Sequence, residues 1–260
     1  MSIVVYVKKY TETLSVMLKR FRMEYPEYAS SKITYAGRLD PLAEGTMLLL
    51  TDEDVHRKDE FLGLPKEYEV NIVCGVSTDT YDLLGVPQDF GETTVEETVL
   101  KREVENLLRL KTQTYPRYSS RTVEGKPLYQ WSREGRLSEI SIPEQSIDIK
   151  DVSIVSVSSI DGMELLGMVN RVTSEVEGDF RQEEIFNSWK KHIANHQKTE
   201  FTTATLCFSV SSGTYIRGLI EGLGKSLNTH ACCIKIKRIS IGGYTNSFSV
   251  QQVSATLRYN

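Results

Sequence analysis

Nine residues constrain this chain most: Gly37-Arg38-Leu39-Asp40-Pro41-Leu42-Ala43-Glu44-Gly45, followed at once by the apolar run Thr46-Met47-Leu48-Leu49-Leu50. Two glycines and a proline around one aspartate, ahead of an unbroken apolar run, predict a rigid turn feeding a buried strand. Pro41 fixes its own φ, lacks an N–H and biases Asp40 toward extended backbone. Gly37 and Gly45 permit positive φ or close approach by another backbone. An aspartate fixed in this way is either a structural Asx turn or a placed chemical group, and the segment alone leaves both readings open.

The rest of the chain reads as short strands and amphipathic helices. Val4, Val5, Tyr6 and Val7 form a short strand, and Leu14, Met17, Leu18 and Phe21 recur at i, i+3, i+4 and i+7 in a helix that Pro26 stops. Residues 68–76 alternate as a strand, and the polar stretch 78–85 reads as a loop. Thr94-x-x-Glu97 is a capping-box signature for a helix running through Leu100, Val104, Leu107 and Leu108. Residues 147–157 are strand-like, and Ile185, Phe186, Trp189 and Ile193 mark a helix whose acidic start and basic end suit its dipole. His192 and His196 stand at i, i+4, but no third ligand or H-E-x-x-H pattern accompanies them, so no metal is expected there. Leu206, Phe208 and Val210 alternate as a strand; Ile216, Leu219, Ile220, Leu223 and Leu227 share one helix face; residues 232–239 alternate again. Arg217 lies off that helix face in the first turn, where a cation opposes the dipole, so a carboxylate partner is expected. Residues 112–138 interleave Tyr115, Tyr118, Tyr129 and Trp131 with Arg117, Arg121, Lys126, Arg133 and Arg136. Such a stretch either stacks bases and meets phosphates, or is a loop and helix with its aromatics in the core.

Four segments, in order, carry a family resemblance. GRLDPLAEG resembles the catalytic-aspartate motif G-x-L-D-P-x-A-x-G of the TruB-type RNA pseudouridine synthases. Lys66-Glu67-Tyr68-Glu69-Val70, then Gly75 and Thr78-Asp79-Thr80-Tyr81-Asp82-Leu83-Leu84-Gly85, resemble that family's K-x-Y and G-x-x-T-D-T-x-D-x-x-G segments. Pro116-Arg117-Tyr118-Ser119-Ser120, with Gly125-Lys126-Pro127-Leu128-Tyr129 and Arg133-Glu134-Gly135, resembles its substrate-clasping loop, and Ser212-Gly213-Thr214-Tyr215-Ile216-Arg217 its S-x-G-T-Y-I-R motif. The resemblance covers about 32–136 and 205–245. It implies an α+β chain with the pseudouridine synthase fold, a central, mostly antiparallel mixed sheet flanked by helices. It also implies one catalytic domain over 1–260, with 139–204 an insertion or divergent segment and no room for the C-terminal PUA-type domain of many relatives. Two departures stand out. Tyr10 and Glu12 replace the proline and glycine of a K-P-x-G motif in which Lys9 keeps the lysine, and Tyr35 stands where relatives carry the histidine of G-H-T-G.

Composition bounds the setting. The chain is 40% hydrophobic and 25% charged, as a soluble globular protein should be, and no apolar run is long enough for a membrane span. The N-terminus has no basic region ahead of its apolar residues, which argues against a signal peptide. Cys74, Cys207, Cys232 and Cys233 show no C-x-x-C spacing, so reduced thiols and a cytoplasmic location are expected. A net charge of −4 argues mildly against a nucleic-acid partner, but its distribution argues the other way. Residues 1–40, 112–138 and 205–245 carry +3, +3 and +4, against −9 over 41–111 and −6 over 139–204. That is how an RNA-facing side and a solvated acidic back would read.

Pseudouridine formation breaks N1–C1′, turns the base and joins C5 to C1′. The chemistry needs no redox step, so no cofactor is expected, and a carboxylate is a suitable catalyst. By resemblance, Asp40 takes that role, Arg217 pairs with it and aims it, and Tyr68 stacks on the flipped uracil. Lys9, Tyr35, Arg38, Lys66, Tyr118, Arg121, Tyr129, Arg133, Lys237 and Arg238 are the expected RNA contacts. Flipping a base costs a few kcal/mol, which a basic, aromatic clasp could offset. The expected substrate is structured RNA, foremost uridine-55 in the tRNA T-loop, bound by a monomer. Two rivals remain: a catalytically silent RNA-binding or RNA-folding protein on the same scaffold, and a small-molecule glycoside or nucleoside hydrolase. The second would need another carboxylate from Glu44, Asp79 or Asp82.

Overall fold

Met47, Leu48, Leu49 and Leu50 are fully buried in the strand Ala43–Thr51 of the computed structural model, which describes residues 3–245. Arg258 and the C-terminal residues bearing on a further domain lie outside the described residues. A strand with an unbroken apolar run must be covered on both faces, and this one is. Met47 and Leu49 join one core cluster with Val4, Tyr6, Met17 and Phe21. Leu48 and Leu50 join another with Ile3, Val5 and Phe61.

The main sheet runs in the order Ile3–Lys8, Ala43–Thr51, Ala231–Ile241, Lys66–Cys74, Glu200–Val210, Ile149–Asp161, with Ile33–Tyr35 and Tyr244–Thr245 paired at the side. Within it only Ala43–Thr51 and Ala231–Ile241 run parallel; the other pairings are antiparallel. This is the expected mixed, mostly antiparallel sheet. The parallel join puts Gly45 opposite Arg238. Gly45 has φ +109°, and a Cβ there would sit 2.2 Å from the Arg238 carbonyl oxygen, so only glycine fits.

Helices cover both faces. Leu14–Glu24, Glu97–Asn106 and Ile216–Ser226 pack Phe21, Leu100 and Leu223 into the largest cluster. On the other face, Gly162–Glu175 and Gln182–Ile193 pack Leu165, Val169, Ile185 and Trp189 against Val73, Leu83 and Cys232. Segment 139–204, expected as an insertion or divergent segment, contributes to both the sheet and its second face. It supplies the edge strand Ile149–Asp161, which pairs along its length with Glu200–Val210. The Gly162–Glu175 helix has no counterpart in the sequence reading; Asp161 and Glu164 close a capping box at its start. Conversely, the box expected at Thr94 does not form. Thr94 Oγ1 bonds Glu92, while Val95 N–H donates to Thr202 Oγ1 and Thr202 N–H to the Thr93 carbonyl, so the segment is tied to the sheet and the helix starts at Glu97. No helix among the described residues is long and apolar enough to cross a membrane.

Candidate active site

Asp40 sits in the loop between Ile33–Tyr35 and Ala43–Thr51, where it lines a cleft of about 1020 Å³. Its loop is braced by two buried cations. Lys8 Nζ donates to the carbonyls of Ala43 (2.6 Å), Pro41 (3.2 Å) and Lys9 (3.1 Å). Arg238 donates from Nε to the Thr46 carbonyl (2.8 Å) and from Nη2 to that of Gly37 (3.2 Å). Each cation meets carbonyls rather than a carboxylate, and burial lowers the Lys8 ammonium to about 8.

The expected partner of Arg217 is Asp40. Arg217 lies in the first turn of Ile216–Ser226, and its Nε donates to Asp40 Oδ2 at 2.8 Å. The two ends of the pair differ in depth: the arginine side chain is 5% exposed, the aspartate 44%. The remaining guanidinium nitrogens are also fixed, Nη1 on the Thr80 carbonyl and Nη2 on that of Tyr118 at 3.2 Å. A buried carboxylate, Asp82, stands behind, with Oδ2 3.7 Å from Arg217 Nε. Asp82 Oδ1 accepts from Thr80 Oγ1 (2.7 Å) and Leu84 N–H (3.0 Å), and burial pushes its carboxyl up to about 6 against the pull of Arg217. The unfavourable placement of a cation at a helix N-terminus is therefore offset by two carboxylates and two carbonyls.

Of the thirteen residues singled out from the sequence, ten line this cleft: Asp40, Tyr68 and Arg217, with Tyr35, Arg38, Lys66, Tyr118, Tyr129, Arg133 and Arg238. Lys9, Arg121 and Lys237 do not. Lys237 neighbours Arg238 on a strand, so its side chain leaves by the opposite face. Arg121 instead lies over the Tyr115 ring at 5.0 Å. Two of the expected RNA contacts line the cleft yet are largely buried, with their charge also used by the fold. Arg238 is 1% exposed and braces the Asp40 loop, and Lys66 is 5% exposed, its Nζ on the carbonyls of Leu62 and Leu64 and on Ser212 Oγ. Stretch 112–138 divides between its two readings. Tyr118 and Tyr129 face the cleft, while Trp131 is buried and donates Nε1–H to the Val123 carbonyl.

The substituted K-P-x-G turn has its own support. Thr11 takes φ +62°, and the Glu12 carboxylate accepts from Lys9 N–H and pairs with Arg20 at 2.8 Å. Tyr35 lines the cleft with Lys58 Nζ 5.9 Å from its ring centroid. His192 and His196 both stack on Phe90, and no group of residues suited to holding a metal occurs among the described residues. Sequence reading missed Lys8 as a brace and gave Asp82 no part beside Arg217. Lys8 falls in the alternation Val4, Tyr6, Lys8 on one strand face, which is a buried face, so period-two reading could have found it. Asp82 closes the T-D-T-x-D run.

Such a site, with a half-exposed carboxylate held by a buried arginine under an aromatic and cationic rim, defines an enzyme-like centre on a sheet scaffold, and comparison gives its family. The profile described as TruB family pseudouridylate synthase (N terminal domain) matches residues 26–174, and the chain belongs to that family. It is 28% identical over 222 residues to a tRNA pseudouridine synthase B of Malacoplasma penetrans, covering 84% of this chain and 76% of that protein. It is 25% identical over 216 residues to a tRNA pseudouridine synthase B of Mycoplasmopsis pulmonis, covering 83% and 61%. The chain therefore spans three quarters of one relative and under two thirds of the other. In fold it is similar to a chain of a Cbf5-Nop10-Gar1 complex, with TM-score 0.55 and 12% identity over 94% of this chain and 50% of that one.

Proposed function

We propose that the chain isomerises uridine to pseudouridine in structured RNA, with Asp40 as the catalyst. The observation that carries this is the Arg217 Nε to Asp40 Oδ2 contact at 2.8 Å, a buried cation holding a half-exposed carboxylate in an open cleft. All three guanidinium nitrogens have acceptors, so the carboxylate meets a cation that cannot swing. N1–C1′ of the target breaks and C5–C1′ forms, the C5 proton leaves and N1 ends protonated. Atoms and electrons balance within the nucleoside. Asp40 acts at the ribose, Tyr68 and Tyr35 wall the flipped base, and Arg38, Tyr118, Tyr129 and Arg133 meet the RNA around it. Among the three other carboxylates considered, Glu44 pairs with Lys235, Asp79 with Arg181, and Asp82 is enclosed. This disfavours two-carboxylate hydrolysis, which needs a second group facing solvent or substrate.

The finer reading is a uridine-55 T-loop synthase working as a monomer in the cytoplasm; the relatives' printed names support the tRNA part of it. A T-arm hairpin and the same hairpin with cytidine in place of that uridine test the target. After incubation, digestion to nucleosides should give pseudouridine from the first and none from the second. Pseudouridine from both moves the target elsewhere, and from neither, with tight binding, favours the silent RNA-binding protein.

A further inference from the structure

Two arginines hold the same two segments. From inside the cleft, Arg217 holds the main-chain carbonyls of Thr80 and Tyr118. Arg181 holds the adjoining side chains. Its Nη1 lies 2.8 Å from Asp79 Oδ2, and its guanidinium carbon lies 4.9 Å from the Tyr118 ring centroid. Arg181 belongs to the connector between Gly162–Glu175 and Gln182–Ile193, in which Glu177, Gly178, Asp179 and Phe180 line the cleft.

The connector is built rather than loose. Gln182 Nε2 donates to the carbonyls of Gly178 (2.6 Å) and Val176 (3.2 Å), and Arg133 Nη2 reaches across from the clasp to the Asp179 carbonyl at 2.8 Å. An exposed ion pair fixes little, but the Arg181 and Asp79 side chains are 22% and 12% exposed. A flat guanidinium that pairs with a carboxylate and stacks on a ring is fixed in plane as well as in place, which lysine could not reproduce.

We propose that Arg181 is a positioning residue for the Asp40–Arg217 pair. It acts through Asp79 and Tyr118, setting the two carbonyls that orient the Arg217 guanidinium. A displacement of about 1 Å in such a support can cost about 100-fold in rate. The activity arm of the test rests on the synthase reading; a second arm does not.

The variants are Arg181→Asn, since Asn tolerates the left-handed backbone at that position (φ +62°), Arg181→Lys, and Asp79→Asn, which breaks the same tie and can keep the oxygen that accepts from Val86 N–H. With saturating T-arm hairpin, Arg181→Asn and Asp79→Asn should slow the single-turnover rate about 10- to 100-fold while KM stays within about twofold. Arg181→Lys should recover only part of the loss. Independently, the Arg217 Nε–H resonance, assigned by its loss in Arg217→Lys, should exchange with solvent at least about tenfold faster in both Asn variants. An unmoved Nε–H exchange rate overturns the proposal, and so does a rise in KM alone, which would make Arg181 an RNA contact. Should the native chain turn nothing over, the synthase reading fails and the exchange rates alone decide the role of Arg181.

Discussion

Asp40 and Asp82 share one cation at very different depths, and depth decides what each can do. Asp40 is open to a substrate. Asp82 is enclosed, and its carboxyl is raised from its ordinary 3.8 to about 6 because burial outweighs Arg217 and Thr80. An acid raised on folding holds its proton more tightly in the folded state, so its stabilising contribution is full below about pH 4 and is lost as pH rises through about 6. Urea unfolding across that window should show the native chain losing stability relative to Asp82→Asn; a flat difference would contradict the assignment. At the other brace, Gly45→Ala sets a methyl against the Arg238 carbonyl and should destabilise by about 3 kcal/mol. The turn and the place of Asp40 were legible because glycine and proline restrict backbone directly. That Arg238 and Lys66 brace the fold was not, because a basic residue near a basic motif reads the same whether it faces phosphate or a buried carbonyl.

Among the elements, the helical pair on the second face matters most for the site. Trp189 is fully buried there and donates Nε1–H to the Gly85 carbonyl at 2.9 Å, tying the Gln182–Ile193 helix to the loop that carries Asp79, Thr80 and Asp82. Trp189→Ala should cost about 3–5 kcal/mol in urea unfolding. The periodicity of Ile185, Trp189 and Ile193 announced this helix. The Gly162–Glu175 helix went unread although Asp161-x-x-Glu164 marks its start, because Gly162 and Gly167 dilute its pattern. At Thr94 the same signature misled, since tertiary bonds to Thr202 took the groups that a cap would have used. That the 176–181 connector reaches the cleft is a matter of packing between segments far apart in sequence, which no local pattern encodes.

For the whole molecule, net charge and local charge point in different directions. A chain of net −4 binds RNA through a local basic face or not at all. Arg38, Arg117 and Arg121 are exposed around the cleft and clasp. If these three meet phosphates, the log–log dependence of RNA affinity on salt should have a slope of about −2 to −3. Filter binding across a salt series measures it, and a slope near zero would contradict an RNA-facing side. The most direct test of the central claim is tritium release from a 5-³H-uridine-labelled T-arm hairpin by the native chain and by Asp40→Ala. Release by the native chain, with none above background from the variant, is the predicted result. Equal release by both would remove Asp40 from the reaction and contradict the account.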